Sequence, residues 1–364
     1  MKKTFFYICL CSLLLITYSC GIGEKSVVAE YNLVGKSVKL DTSIVGQLPV
    51  LLFGDNFIFC DWAHVRNNAY MGGKLSENML SLSENLLNIG HGHNEFQQVG
   101  FSKDKDNTLY LLNNIGIKLE SVSCIKRTNS IYDVKDIGKR IKYSLRDLPA
   151  FYSFSPSNVP ISDSTILVLG APQTSISHIM SIIDFKNKKV QPLDFWPEDN
   201  VKCDSMAKIQ LYGQYAEIMG NGNDRYAYKF AGERYLFVFS IEGNHVNIRN
   251  TLYEDYPIYE GRGRNSMIKD RRPEGIQCDG SNNNLYVLLT DSDKDGKILQ
   301  KYNLLYGNTI EVYDWDGNIQ KRINLDKYGT KIKVSYDNKT LYLFVLDYES
   351  DIYELWSYDL SSIK

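Results

Sequence analysis

The chain has 364 residues, with 41 basic and 43 acidic side chains and a formal net charge of −2. That balance offers no field for nucleic acid, and no basic face stands out along the sequence. The length exceeds what one compact core usually holds, so two domains or a repeat architecture is expected.

Residues 1–19 read as a secretory signal. Lys2 and Lys3 open it, Thr4 to Ile16 is apolar but too short for a permanent membrane helix, and small or hydroxylated residues lead to Cys20. Cys20 followed by Gly21 resembles the lipobox of bacterial lipoproteins. The resemblance implies cleavage before Cys20 and acylation of its thiol and new amino group; the alternative is an ordinary signal with an incidental cysteine. Loss of Lys2 and Lys3 takes the net charge from −2 to −4. Gly21 supplies no acidic retention signal for the inner membrane, which points to an outer-membrane lipoprotein whose leaflet stays open. Beyond Cys20 no apolar run approaches the length of a membrane span, so the body is expected to hang from its lipid.

The expected division is residues 1–19 as signal, 20–45 as lipidated tether with the first strand or strands, and 46–364 as the folded body. In 20–45, Ser26 to Leu40 alternates and forms either a first strand pair or a closure of the fold. Leu48 to Trp62 reads as two apolar strands around Gly54-Asp55-Asn56, and Leu75 to Ile89 as another pair. Val99 to Asn113 introduces a pattern: an apolar strand, an Asp-containing polar turn, then Leu-Tyr and a short apolar run. It returns at Ile276 to Leu289 and Ile332 to Val345, and more weakly at Ile161 to Leu169. A second hairpin type is clearest at Asn308 to Leu325, where Asp316-Gly317 predicts a two-residue type I′ turn. Its relatives are Ile176 to Phe195, Tyr235 to Tyr253 and Ile352 to Ser362. Alternation of the two hairpins gives four strands per unit of ~40–55 residues, the range of propeller blades, and about six units. Met206 to Met219 fits a helical face loosely but also alternates, and is assigned to strand. Segments 147–160, 196–205 and 260–273 carry Pro and Gly and read as loops between units.

The expectation is therefore an all-β, six-bladed β-propeller of four-stranded antiparallel blades after a lipoprotein signal peptide. The lipobox, Ile89 to Phe101 (IGHGHNEFQQVGF), Arg272 to Asp279 (RPEGIQCD) and Ile310 to Leu325 (IEVYDWDGNIQKRINL) resemble the TolB-like six-bladed propeller lipoproteins of Bacteroides-type bacteria. The first stretch looks like a glycine-rich seam shared with NHL-type propellers. His93-Asn94 stands where Gly-Pro is usual there, while Glu95-Phe96 is kept. These motifs are structural seams, so the resemblance implies a fold and a location but no activity.

Three clusters look chemical. His91, His93 and Glu95 could face one side of a strand and meet Asp61 and His64, although Gly90 and Gly92 suit a plain turn. Arg262, Arg264, Arg271, Arg272 and Glu274 surround a glycine-rich loop that could seat an anion, or pair with one another between units. Asp291, Asp293 and Asp295 give the start of a Ca²⁺ loop, but Tyr302 stands where an EF-hand needs Glu, which favours a solvated turn. Cys60, Cys124, Cys203 and Cys278 are widely spaced without a CxxC, so unpaired, mostly buried thiols are expected. Trp62, Trp196, Trp315 and Trp356 could stack on sugars or fill the core. There is no G-x-S-x-G and no H-E-x-x-H. No catalytic residue, metal set or cofactor is assigned. The expected function is non-catalytic binding of a protein or glycan at the cell envelope; the alternative is an enzyme acting on a glycan or lactone in the central channel.

Overall fold

A computed structural model describes residues 28–45, 47–61, 70–90, 95–230, 233–270, 272–291, 305–347 and 349–363. The alternating stretches form strands, and the strands form consecutive four-stranded antiparallel meanders. The first sheet comprises Gln47–Phe53, Asn56–Asp61, Tyr70–Ser76 and Met79–Ile89. The second comprises Gln98–Lys103, Leu109–Ile115, Lys118–Ile125 and Ile141–Ser144. The third holds Asn158–Pro160, Thr165–Leu169, Met180–Asp184 and Lys189–Pro192. The fourth holds Ala216–Gly220, Tyr226–Phe230, Tyr235–Glu242 and His245–Glu254. The fifth holds Glu274–Gly280, Asn284–Asp291, Tyr306–Asp314 and Ile319–Gly329. The sixth is Lys331–Val334, Thr340–Asp347 and Ile352–Asp359, and its fourth strand comes from the other end of the chain.

That strand is Lys36–Leu40. It pairs antiparallel with the last strand, Lys36 opposite Ser357 and Val38 opposite Leu355. Its far end runs parallel to the outer strand of the first sheet, Leu40 opposite Leu80. Ala29–Leu33 adds parallel to Ile319–Gly329 at the edge of the fifth sheet. The segment before residue 46 thus closes the fold rather than forming its own hairpin.

The first strand of each sheet lies at a sheet edge, against the first strand of the next, and the series closes from Lys331–Val334 onto Gln47–Phe53. Side chains hold neighbouring sheets together there. Val99 N–H donates to the Tyr70 hydroxyl and that hydroxyl donates to Val99 C=O, each at 2.8 Å. Ser102 Oγ donates to Asn158 Oδ1 at 2.5 Å. Ile218 N–H donates to Ser157 Oγ at 2.9 Å. Asp279 Oδ2 accepts from Val334 N–H at 2.7 Å.

The repeated Leu-Tyr runs become interior strands covered on both faces, which is why they are continuously apolar. Leu109, Leu285 and Leu341 are fully buried. The hydrophobic clusters straddle adjacent sheets: Phe57 and Phe59 of the first meet Phe344 of the sixth, with Phe57 set edge-on to Tyr342 at 5.3 Å and to Phe344 at 5.8 Å.

Three expectations change. Met206 to Met219 is not one strand: Ser205–Gln214 is an α-helix, followed by the strand Ala216–Gly220. The Asp204 carboxylate caps the helix by accepting from Ala207 N–H at 2.9 Å. Ile209, Leu211 and Tyr212 are buried, and Asp199 anchors the packing by accepting from Tyr212 at 2.6 Å, Tyr259 at 3.0 Å and Lys208 at 3.0 Å. Segment 260–273 is not a plain loop, because Ile258–Arg262 and Asn265–Asp270 pair as a hairpin beside that helix. The turn at Asp316-Gly317 is not type I′: only Gly317 has positive φ (85°), and its N–H donates to Asp314 C=O at 3.0 Å. The loop therefore runs from Trp315 to Asn318. Trp315 is buried, with Nε1–H donating to Ser281 C=O at 3.1 Å.

Phe57 shows the energetic weight of the inter-sheet core. Phe57→Ala should cost about 3–5 kcal/mol in urea unfolding, whereas Ile137→Ala, at an exposed site, should stay within about 0.5 kcal/mol. Equal effects of the two would contradict the packing described.

Candidate functional site

Charge collects where the first strands surround the ring interior. On Lys331–Val334, Ile332 and Val334 enter the core, which turns Lys331 and Lys333 to the opposite face. Ile276 and Cys278 do the same on Glu274–Gly280, leaving Gln277 and Asp279. Ala216 and Ile218 leave Glu217 on Ala216–Gly220. Lys229 stands directly opposite Glu217 in the strand register.

These groups form short polar contacts. Lys229 Nζ lies 3.1 Å from Glu217 Oε2 and donates to Gln277 Oε1 at 3.3 Å. Lys333 Nζ lies 3.1 Å from Asp279 Oδ1. Lys103, at the end of the second sheet's first strand, places its ammonium 4.5 Å from the Tyr336 ring centre and 5.6 Å from that of Phe53.

The electrostatics reach across the ring. Burial raises the Glu217 carboxyl, but Lys229, Lys331 and Lys333 outweigh it and bring the pKa down from 4.5 to about 2. Glu217 and the two last lysines belong to sheets four and six, with sheet five between them. Burial lowers Lys103, which feels Asp279 and Lys333 from the fifth and sixth sheets. Burial, with repulsion from Lys333 and Lys229, lowers Lys331 against the pull of Glu217. Glu217 keeps 42% of its side-chain surface open, yet burial still raises its carboxyl against the lysines. A group facing an internal space has both properties. Burial pushes the Cys278 thiol up to about 12, so it is inert beside this cluster.

The clusters singled out from the sequence fare differently. Cys20, His64, His91, His93, Arg271, Asp293, Asp295 and Trp62 lie outside the described residues. Glu95 is exposed at the start of Glu95–Phe96, and its carboxylate fills the space that a Cβ on Gly90 would need. Arg262 is exposed on the inserted hairpin, and Arg264 stacks over Tyr152 at 5.0 Å. Arg272 pairs with Asp255 at 2.6 Å and Glu233 at 3.6 Å, and Glu274 with Arg234 at 3.0 Å. The Arg–Glu group is thus divided between a stacked or exposed hairpin and ion pairs joining the fourth and fifth sheets. Asp291 ends its strand at a surface cleft of about 490 Å³, where Arg322 also lies. Arg322 is already matched, at 2.6 Å from Glu311 and 3.1 Å from Glu30. Among the described residues no group of His, Cys, Asp and Glu could hold a metal ion. Cys60, Cys124, Cys203 and Cys278 form no disulfide; Cys124 and Cys278 are buried and Cys60 and Cys203 half-buried.

The lysine cluster went unread in the sequence, although Lys-Ile-Lys-Val at 331–334 carries the signal: two charges on one face of a strand whose other face is core. No protein-family model and no curated protein matches the chain.

A depressed carboxyl pKa adds stability above its ordinary value, and that stability is lost as pH falls through the folded value. Glu217→Gln should therefore melt below the wild type at neutral pH. The gap should narrow as pH falls from 4.5 toward 2. A gap independent of pH across that window would show that the Glu217 charge is not what the lysines hold.

Proposed function

We propose that the protein is a six-bladed β-propeller of the TolB-like lipoprotein type, held at the outer membrane through an acylated Cys20. Its role is to bind a partner at the cell envelope without transforming it. Five successive four-stranded meanders, a sixth sheet completed by Lys36–Leu40 and the mutual contact of the first strands support the propeller. The signal-like residues 1–19 and the lipobox-like context of Cys20 support the anchor. The observation that carries the binding role is the gathering of Lys103, Lys331, Lys333, Glu217 and Asp279 on mutually contacting inner strands, with Lys229 3.1 Å from Glu217 and Lys333 3.1 Å from Asp279. Propellers present loops and inner strands as a rigid platform, and charge gathered at the axis gives that platform chemistry.

Labelled palmitate should enter the wild type and not Cys20→Ala; equal labelling would remove the anchor. Crosslinking in intact cells should then recover a partner with the wild type and much less with Cys20→Ala. Turnover of a glycan or lactone panel, lost in Glu217→Gln, would replace the binding reading with an enzymatic one.

A further inference from the structure

The ring interior holds more positive charge than its own carboxylates neutralise. Among the described residues, Lys103, Lys229, Lys331 and Lys333 share it with Glu217 and Asp279, an excess of two positive charges. Lys229 is matched by Glu217 and Gln277, and Lys333 by Asp279. Lys103 lies against the Tyr336 and Phe53 rings. The Lys331 side chain makes no ion pair or hydrogen bond among the described residues; it sits on an inner strand and feels Glu217 and Asp279, which are already paired with Lys229 and Lys333. An enclosed cation that must share its carboxylates with other lysines opposes folding. A bound anion would supply what is missing.

We infer that the ring interior binds a compact dianion, a phosphoryl or sulfuryl group, seated on Lys331 with Lys333 and Lys229 beside it. This rests on the binding-module reading above and names its ligand chemistry. The charge excess among the described residues matches a dianion. Donor type favours a tetrahedral oxyanion: ammonium groups are rotatable point charges that suit phosphate, whereas planar carboxylates are best read by the fork of an arginine. The described arginines nearest in sequence to these lysines, Arg225, Arg234 and Arg322, are committed to Asp224 and Asp316, to Glu274, and to Glu311 and Glu30.

The test is thermal unfolding of the full-length chain against inorganic phosphate, sulfate, glucose 6-phosphate, succinate and sodium chloride at matched ionic strength. Phosphate or sulfate should raise the melting temperature saturably, by about 5 °C at hundredfold saturation, with chloride inert. A response to glucose 6-phosphate at much lower concentration than to phosphate would place the group on a carrier; the reverse order would indicate the free ion. Lys331→Met should melt above the wild type without anion, because the unmatched charge is gone, and should lose the phosphate response. Lys118→Met, on an exposed outer-sheet position, should keep it. If Lys331→Met fails to fold, Lys331→Gln serves in its place. Equal shifts with every salt, a response to succinate alone, or an undiminished phosphate response in both Lys331 variants would overturn the anion site. Partner capture that is unchanged in those variants would leave the binding module standing without it, whereas loss of all capture by the wild type would remove both.

Discussion

Each sheet ends at an inner strand with one edge that no backbone partner satisfies, and the architecture depends on how those edges are covered. An open edge is a polar surface that would otherwise recruit another chain. Here each inner strand is turned against its neighbour, and side chains reach across to bond main-chain groups. Tyr70 brackets Val99, Ser157 holds Ile218, and Asp279 accepts from Val334. Ser102 and Asn158 make the same join between side chains. These contacts orient each sheet to the next, and that orientation brings the apolar faces together. The clusters of Phe57 with Phe344, and of Leu288 with Leu343, lie between sheets rather than within them.

The same constraint explains the path of the chain's beginning. A ring made of consecutive sheets has one joint without a covalent connection, between the last sheet and the first. Lys36–Leu40 spans it by bonding to both Ile352–Asp359 and Met79–Ile89. Gly35 permits the approach, since the Tyr358 ring fills the space beside it and its N–H donates to Asp326 at 2.9 Å. Ala29–Leu33 is fastened in turn by Glu30, which shares Arg322 with Glu311. Because Glu311 is buried, that pair lies partly out of solvent and is worth more than a surface bridge.

Inner strands face two environments at once, and this is the source of the charge cluster. Alternation sends every second residue to the core, so its neighbours must face the ring interior. Among the described residues the lysines outnumber the carboxylates, and Glu217 and Asp279 together do not restore the balance. A fixed cationic field in a confined space is a selective environment for anions, since wall and field act together.

The sequence by itself determined the strand content and the order of the hairpins. Leu-Tyr runs behind Asp-containing turns recur along the chain as short apolar stretches bounded by polar turns, and local patterning suffices to decide that. It also contained the Asp204 cap, although alternation in the following residues masked the helix it starts. Trp315 could not be placed from its neighbours, because its burial depends on Ser281 and Gly280 in another hairpin. The arginines around Glu274 likewise looked like a shared site, and only the position of Arg234, Asp255 and Glu233 in the preceding sheet separates them. Where the charges meet depends on how the sheets close on one another. Lys103, Glu217, Asp279 and Lys331 lie more than fifty residues apart in sequence, and only closure of the ring turns their strands toward a common interior.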